Sequence, residues 1–184
     1  FASRTAHDLR GPLSPVRGYA DLLSADGSAE TRELGKRIAK SADRMAGIID
    51  DMLELSVHGR PRAGKGGLGP AVFEVLDELR GQLGDAELAV DVGEHTTALS
   101  PGVLAQLLRN LIGNAAKYRA PDRRLALRVE ARKASDKEIE LVVSDNGIGM
   151  DAETCAHVFE PLYRAPGASQ PGHGLGLSIV KRTL

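Results

Sequence analysis

Residues 110–118 carry two asparagines and a lysine at helical spacing, and this stretch constrains the chain more than any other. Asn110, Asn114 and Lys117 follow an i, i+4, i+7 pattern, so on a helix they share one face. An amide oxygen is a suitable ligand for Mg²⁺, and a lysine ammonium one turn later supplies a charge for a phosphate. Taken alone, the pattern also fits a solvated helix face, and the glycine motifs downstream favour the phosphate site.

Two glycine motifs occupy residues 145–149 and residues 172–176, the first after a predicted strand and the second before a predicted helix. Glycines let backbone amides close on an anion, and a helix N-terminus adds partial positive charge. The Asp145 carboxylate repels phosphate but accepts the exocyclic amine of adenine. The second motif is not a dinucleotide fingerprint, because no strand directly precedes it. The glycines assigned to the site are Gly147, Gly149, Gly172, Gly174 and Gly176.

The first third of the chain has two runs of apolar residues in steps of four and three, over residues 9–23 and 34–55. This spacing predicts two helices packed at a shallow angle, and Ser28 with Thr31 is suited to cap the second. Two helices alone bury only a small apolar core, and the apolar stripe of the second helix is wider than a contact with one other helix requires. The sequence therefore predicts an antiparallel helical hairpin that forms a four-helix bundle when two chains dimerise.

His7 falls beside the apolar seam, so the sequence places it facing solvent. The neighbouring Asp8 carboxylate is able to hold the imidazole in one tautomer and to accept a proton. Pro12 and Pro15 predict a kink one turn later, which alters how these two side chains meet. An ordinary surface histidine remains the alternative on these residues alone.

Residues 59–70 are rich in glycine, proline and basic residues, and they predict a linker between domains 1–58 and 71–184. The second domain alternates apolar residues as strands and shows helical periods between them. This pattern predicts an α/β sandwich with a mixed sheet and helices on one face, so the whole chain is α+β. The predicted strands are 88–92, 125–131 and 139–144, and the predicted helices are 72–83 (with a possible short strand at its start), 101–117, 151–158 and 175–183.

Composition excludes several classes of protein. The net charge of −1 gives no reason to expect nucleic acid or an anionic membrane as partner. The one cysteine, Cys155, cannot form an internal disulfide or a zinc cluster, which fits a reducing compartment such as the cytoplasm. No apolar run approaches the roughly 20 residues of a membrane span. The chain begins in the middle of a motif and ends inside a predicted helix, so we expect it to be a piece of a longer protein. Membrane anchoring of that parent protein is compatible with this sequence.

Five motifs in this order resemble the transmitter region of sensor histidine kinases, and together they cover nearly the whole chain. The resemblance implies a dimeric hairpin that carries a phosphoacceptor histidine, followed by a Bergerat-type ATP-binding domain shared with gyrase-like ATPases. The matching segments are Phe1–Leu13 (H box), Asn110–Tyr118 (N box), Asp145–Gly149 (first glycine box), Val158–Arg164 (F box) and Gly172–Leu177 (second glycine box).

The resemblance also implies roles for several residues of the H box and the N box. His7 would be the phosphoacceptor and Asp8 its base. Asn114 would be the Mg²⁺ ligand with Asn110 close by, and Lys117, with the adjacent Tyr118, would approach the phosphates and the adenine or ribose. In the related ATPases a glutamate that activates water stands where this chain has Asn110. An amide cannot take that proton, so slow hydrolysis is expected.

The glycine boxes and the F box would complete the nucleotide site. Asp145 would read the adenine amine, with Gly147 and Gly149 shaping that wall, and the later glycines would flank the triphosphate. Arg164 would either reach the γ-phosphate or serve as an ordinary surface charge of the connecting segment. His173 is expected to be an exposed loop residue. The phosphoryl group would pass from ATP to His7 and then to an aspartate of a response regulator.

Three departures from the family pattern limit the resemblance. Gly11 stands where the family has a Thr or Asn that orients water, so weak or absent phosphatase activity is expected. Leu162 replaces a usual aromatic, and the family continues beyond Leu184 with two more strands. The alternatives are a silent nucleotide-binding and dimerisation module (a pseudokinase), a mechanical ATPase and a bare phosphotransfer hairpin. The presence of residues for every expected role disfavours the first, and Asn110 disfavours the second.

Overall fold

The computed structural model describes residues 13–26, 28–57, 63–167, 170 and 172–184. The chain separates into two compact units, Phe1–Gly59 and Arg60–Leu184, and each is described by itself. The fold is a mixture of helices and a mixed sheet, which confirms the predicted α+β class. His7, Asp8 and the proline at position 12 lie outside the described residues.

The first unit is a helical hairpin, as its apolar spacing predicts. Helix α1 spans Leu13–Asp26 and helix α2 spans Ala29–Val57. Ser28 caps α2, because its hydroxyl oxygen accepts a hydrogen bond from the Thr31 amide at 3.2 Å. The Ser28 and Thr31 hydroxyls also lie 3.0 Å apart, which confirms the predicted capping pair.

The contact between α1 and α2 is made by small residues. Ala20, Ala42 and Gly35 are buried there, and a β-carbon built on Gly35 would lie 2.7 Å from the Ala20 carbonyl oxygen. Arg17 forms an ion pair with Asp43 across the hairpin. Five larger seam residues stay at least 39% exposed in the single chain, and they are Val16, Leu23, Leu34, Ile38 and Met45. Among the seam residues whose burial the structure describes, the hairpin therefore leaves most of the large apolar ones uncovered.

The second unit contains five strands and five helices among its described residues. In chain order they are β1 (Ala63–Gly67), α3 (Leu68–Glu78), α4 (Arg80–Leu83), β2 (Glu87–Asp91), β3 (Thr96–Leu99), α5 (Pro101–Lys117), β4 (Ala126–Lys133), β5 (Ile139–Asp145), α6 (Ala152–His157) and α7 (Gly176–Thr183). Helix α5 has the bounds predicted for the helix over residues 101–117, and a proline at the first helical position suits its start.

The strands form two sheets. A three-stranded sheet has the order β2-β4-β5, with β2 parallel and β5 antiparallel to β4, so it is mixed as predicted. The other sheet pairs β1 with β3 antiparallel. Residues 63–70 are therefore not part of the predicted linker, and β3 at residues 96–99 is a strand that the sequence pattern does not predict. The glycines of β1 supply no apolar alternation, and Leu68 starts α3 directly after them.

The core lies between the helices α3 and α5 and one face of the three-stranded sheet. Leu108, Ile112, Val72 and Val129 have at most a trace of exposed surface. Leu127 and Val129 alternate with the more exposed Arg128 and Glu130 along β4, so the apolar side chains share one face, and Leu125 joins the same core just before the strand. Burying such side chains stabilises the unit by about 1.5–3 kcal/mol each. This packing fixes the position of α5, which carries the candidate site.

Among the described residues, no helix combines the length and apolar character that crossing a bilayer requires.

Candidate nucleotide-binding site

The C-terminal half of α5 presents the predicted polar face. Asn110, Asn114 and Lys117 are all half-buried, while Leu108 and Ile112 on the sheet side are fully buried. Tyr118 follows as the C-cap, and its amide donates to the Asn114 carbonyl at 2.9 Å. The Lys117 ammonium lies 4.6 Å from the centre of the Tyr118 ring. The helix is thus held by its apolar face and keeps two amides and an ammonium together.

The first glycine motif is tied directly to the end of α5. The Ile148 amide donates to the Tyr118 carbonyl at 2.9 Å. The Gly147 amide donates to Asp145 Oδ1 at 2.8 Å, which fixes the carboxylate at the end of β5. A β-carbon on Gly147 would lie 2.5 Å from the Tyr118 carbonyl oxygen, so only glycine fits this close approach. Asp145 and the N box helix therefore border the same region of the molecule.

Asn146 is a positioning residue that the motif spacing does not predict. Its side-chain oxygen accepts from the Ala126 amide at 2.9 Å, and its side-chain nitrogen donates to the Arg124 carbonyl at 3.0 Å. These bonds attach the turn after β5 to the start of β4. An asparagine directly before a glycine is a common turn signal, and this was the available clue.

The second glycine motif lies against the same face of α5. A β-carbon built on Gly172 would overlap the Lys117 ammonium, and one on Gly176 would lie 3.0 Å from Asn110 Oδ1. Gly172 has a φ of +144°, a conformation that other residues rarely adopt. The structure therefore brings both glycine motifs and the asparagine–lysine face of α5 together.

Two polar groups of this face lack protein partners that would satisfy them. Asn110 Nδ2 is buried with no hydrogen-bond acceptor among the described residues. The Lys117 ammonium has no carboxylate partner in the part of the chain that the structure describes. A buried donor without an acceptor is costly, and an anionic ligand would satisfy both groups. The chemistry of these donors therefore fits a phosphate-bearing ligand.

The same residues fit Mg²⁺ only as a phosphate-bound ion. No group of three or more His, Cys, Asp or Glu residues able to hold a metal ion occurs among the described residues. Mg²⁺ usually keeps several waters and uses one or two protein oxygens plus substrate phosphates. The half-buried Asn114 amide would supply one such oxygen, one turn before Lys117. A single amide oxygen from the protein is consistent with a Mg²⁺ ion that binds together with a nucleotide and takes its other ligands from phosphate and water.

The segment between the glycine motifs is anchored by Leu162. Its amide donates to the Gly174 carbonyl at 2.9 Å, and its φ of +66° is unusual for a leucine. Gly174 in turn packs against the backbone at Leu162, where a β-carbon would lie 2.7 Å from the Leu162 carbonyl carbon. Arg164 Nη2 donates to the Gln170 carbonyl at 2.6 Å. Arg164 thus braces this segment in the structure as described.

His157 and Glu160 form a titrating pair at the start of that segment. His157 Nδ1 lies 2.8 Å from Glu160 Oε1, and this hydrogen bond and the carboxylate charge raise the pKa of His157 above its usual value. Because the pKa of His157 is higher in the folded state than in the unfolded state, the pair contributes its full stabilisation at pH values below the unfolded-state pKa. This stabilisation is lost as the pH rises through the folded-state pKa. We expect an NMR titration of the imidazole to show a midpoint above 6.5, the ordinary pKa.

Glu160→Gln is the matched change for this pair, since it removes the charge and keeps the shape. The variant should return the midpoint of His157 toward the ordinary value. An unchanged midpoint would show that Glu160 does not bind the imidazole in solution.

The remaining predicted histidine roles have mixed outcomes. His173 is half-buried rather than exposed, because it lies between glycines that pack against α5 and Leu162. His157 is exposed. His7 and Asp8, assigned as phosphoacceptor and base, lie outside the described residues, so their placement stays a prediction.

Comparison with known proteins supplies the family. Residues 1–59 match the "His Kinase A (phospho-acceptor) domain", and residues 100–184 match the "Histidine kinase-, DNA gyrase B-, and HSP90-like ATPase". The two matches follow the order of the two structural units. The chain is a histidine kinase transmitter region.

Individual relatives agree with this assignment. The transmitter region is 30% identical over 203 residues to the signal transduction histidine-protein kinase/phosphatase MprB of Mycobacterium ulcerans, covering 100% of this chain and 38% of the relative. It is 31% identical over 190 residues to the sensor histidine kinase YvrG of Bacillus subtilis, covering 96% and 32%. The chain therefore spans less than two fifths of the length of these curated relatives.

A solved structure has the same fold over nearly the whole transmitter region. Full-length ShkA in complex with AMPPNP is 25% identical, with a TM-score of 0.72, covering 99% of this chain and 40% of that one. The mycobacterial sensor histidine kinase MprB is 29% identical, with a TM-score of 0.59, covering 65% and 78%. The fold of this chain is therefore similar to the solved structures of two histidine kinases, in agreement with the family assignment.

Proposed function

We propose that this transmitter region is an ATP-dependent protein-histidine autokinase of a two-component system. One observation carries the proposal: the asparagine–lysine face of α5 and both glycine motifs converge on one region that has unsatisfied hydrogen-bond donors. The ATPase family match and the AMPPNP complex of ShkA support ATP as the ligand. The phosphoacceptor-domain match over residues 1–59 supports a histidine acceptor.

Adenine binds beside Asp145 in this proposal. One carboxylate oxygen is held by the Gly147 amide, and no described residue bonds the other. A carboxylate accepts the exocyclic amine of adenine and repels the carbonyl that guanine has at the same position. Gly147 and Gly149 shape the wall beside the base, and Tyr118 is joined to that wall through its carbonyl group.

The phosphates bind along α5 and the second glycine motif. Among the described residues, Asn110 Nδ2 has no acceptor and the Lys117 ammonium has no carboxylate partner. Gly172, Gly174 and Gly176 allow close approach of a phosphate chain. Asn114 is the Mg²⁺ ligand. When bound, the ion neutralises phosphate charge. Arg164 is a further candidate for the γ-phosphate, from its place in the segment that connects the glycine motifs.

His7 receives the γ-phosphoryl group in this proposal, and Asp8 takes the proton of the ring. A neutral imidazole is a competent nucleophile near pH 7, given its ordinary pKa of about 6.5. Transfer requires in-line placement of the imidazole nitrogen and the γ-phosphate. This placement also requires the hairpin domain and the catalytic domain to move relative to each other. We place the hinge before β1, because residues 63–70 of the predicted 59–70 linker form β1 and the start of α3.

The hairpin domain dimerises through its uncovered apolar residues. Leu23, Leu34 and Ile38 are 40–51% exposed in the single chain, whereas the hairpin's own contact uses alanine and glycine. A second hairpin would bury these side chains in a four-helix bundle. Phosphorylated His7 then transfers its phosphoryl group to an aspartate in the receiver domain of a response regulator. In this proposal the fragment acts in the cytoplasm, without contact with nucleic acid or membrane.

Nucleotide titration of the intact chain tests this proposal. We expect ATP to bind saturably in the presence of Mg²⁺, and GTP to bind at least about tenfold more weakly, because its base carbonyl would face the Asp145 carboxylate. Asp145→Asn keeps one side-chain oxygen that accepts from the Gly147 amide, but it replaces the other oxygen with an NH₂ group, which donates hydrogen bonds. This variant should lose ATP affinity and narrow the preference for ATP over GTP. Absence of saturable ATP binding, or equal binding of both nucleotides by the parent chain, contradicts the proposal.

A further inference from the structure

Strand β2 is an edge strand with an open outer side. It pairs with β4, and no other described strand lies beside it. The Glu87 amide donates to the Leu125 carbonyl at 2.8 Å, so in this parallel pair alternate residues from Glu87 onward bond to β4. The backbone groups of Leu88 and Val90 therefore point away from the sheet. An edge of this kind is a template for another extended segment.

A groove with a mostly apolar lining runs beside this edge, and the paired side chains of Asp77 and Arg80 are the charged groups that line it. Its volume is about 530 Å³, and none of the candidate nucleotide-binding residues lines it. Leu88 and Val90 of β2 line it together with Phe73 of α3, which is 63% exposed. Leu88 is 45% exposed, although it is an apolar residue on the helix-facing side of the strand. The groove thus offers pockets for alternate side chains of a segment added to β2.

The opposite face of β2 is acidic. Glu87 and Asp91 are exposed, and neither has an ion-pair partner among the described residues. They alternate with Leu88 and Val90 along the strand, so they lie on the face away from the groove. A segment paired with β2 would place its own alternate residues next to these carboxylates, where lysine or arginine is favoured.

A second copy of this chain is disfavoured at the same edge. Antiparallel pairing of two β2 strands about Ala89 would set Glu87 opposite Asp91 twice. Parallel pairing in register would set each carboxylate beside its own counterpart. Like charges directly opposite one another destabilise a strand pair. Charge repulsion therefore disfavours pairing of β2 with the β2 strand of a second copy, and the two carboxylates favour a partner strand that carries cations.

We propose that β2 and its groove bind an extended segment of another protein in which apolar residues alternate with lysine or arginine. The segment adds a fourth strand to the sheet: its backbone bonds to Leu88 and Val90, its apolar side chains enter the groove beside Phe73, and its cations pair with Glu87 and Asp91. This interaction surface is independent of the nucleotide site, so it provides a means of recruiting a partner without blocking ATP.

The probe is a fluorescein-labelled peptide, Val-Lys-Val-Lys-Val-Lys-Val, titrated into the intact chain at low salt. We expect saturable binding that weakens as salt rises, with amide chemical-shift changes centred on Leu88–Val90. In the double variant Glu87→Lys/Asp91→Lys, affinity should fall at least about tenfold, and the matching Val-Glu peptide should bind instead. ATP binding by this variant should be unchanged.

Two controls separate pairing at this edge from general attraction to an acidic protein. Asp136→Lys/Glu138→Lys makes the same change of charge on the exposed β4–β5 connection, and peptide affinity should persist. Leu88→Pro removes an outward amide that β4 does not use, and it should weaken peptide binding while the thermal unfolding transition is retained. The proposal is overturned by absence of saturable binding, by equal affinity in the β2 charge-reversal variant, or by shift changes confined to other residues.

Discussion

Gly147→Ala is expected to reduce ATP affinity by at least about tenfold and to lower the free energy of unfolding of the catalytic domain by about 1–3 kcal/mol. The added β-carbon would lie 2.5 Å from the Tyr118 carbonyl oxygen and 2.7 Å from Asp145 Oδ1. Neither oxygen is the free end of a flexible side chain, since the first is backbone and the second accepts from the Gly147 amide. The turn must move, and it would take Asp145 away from the N box helix.

The matched control for this change is Gly102→Ala, in the first turn of α5. A β-carbon there meets nothing within 4 Å, so the substitution should leave ATP affinity unchanged and should not destabilise the helix. Calorimetric titration with ATP and thermal unfolding of both variants supply the two measurements. Equal ATP affinity in both variants would show that the first glycine turn does not position the nucleotide.

Asn114→Ala is expected to lower the rate of Mg²⁺-dependent histidine phosphorylation by about a hundredfold or more. The substitution removes the oxygen that we assign to the ion, which is worth several kcal/mol when it stabilises transferring charge. The helix itself should persist, because alanine is a better helix former than asparagine and the apolar face is untouched. The measurement is the initial rate of phosphorylation across a range of Mg²⁺ concentrations.

Gln106→Ala provides the amide control on the same helix. Gln106 accepts a hydrogen bond from Arg109 Nε at 3.2 Å and lies one turn before the predicted Asn face. Its loss should change the rate little and leave the Mg²⁺ dependence as in the parent chain. If Asn114→Ala behaved like this control, the ion would have to be held elsewhere.

The candidate site was largely predictable because its chemistry depends on short-range spacing. The i, i+4, i+7 pattern of Asn110, Asn114 and Lys117 fixes one helix face, and each glycine motif is contiguous in sequence. Their meeting in space was predictable only through the family resemblance. It depends on contacts between distant residues, such as the Ile148 amide with the Tyr118 carbonyl.

Other features could not be predicted, for identifiable physical reasons. Strand β1 is rich in glycine, so its pairing with β3 leaves no apolar alternation to detect. The positive φ of Leu162 is imposed by its bond to Gly174, which lies twelve residues away. The bonds of Asn146 to Arg124 and Ala126 join segments more than fifteen residues apart. Tertiary context decides all three.

The exposed seam of the hairpin shows how one pattern serves two contacts. The heptad spacing predicts helices, and the structure confirms α1 and α2. Spacing alone did not separate the residues of the hairpin's own contact from those left for a partner. Size separates them, because alanine and glycine occupy the close contact while leucine, isoleucine and methionine remain exposed.

The most direct test of the account is to incubate the intact chain with γ-labelled ATP and Mg²⁺ and to locate the label. The account predicts acid-labile, base-stable label on His7, lost in His7→Gln while that variant still binds ATP. Label on another residue, label that survives in His7→Gln, or release of free phosphate with no protein label would contradict it.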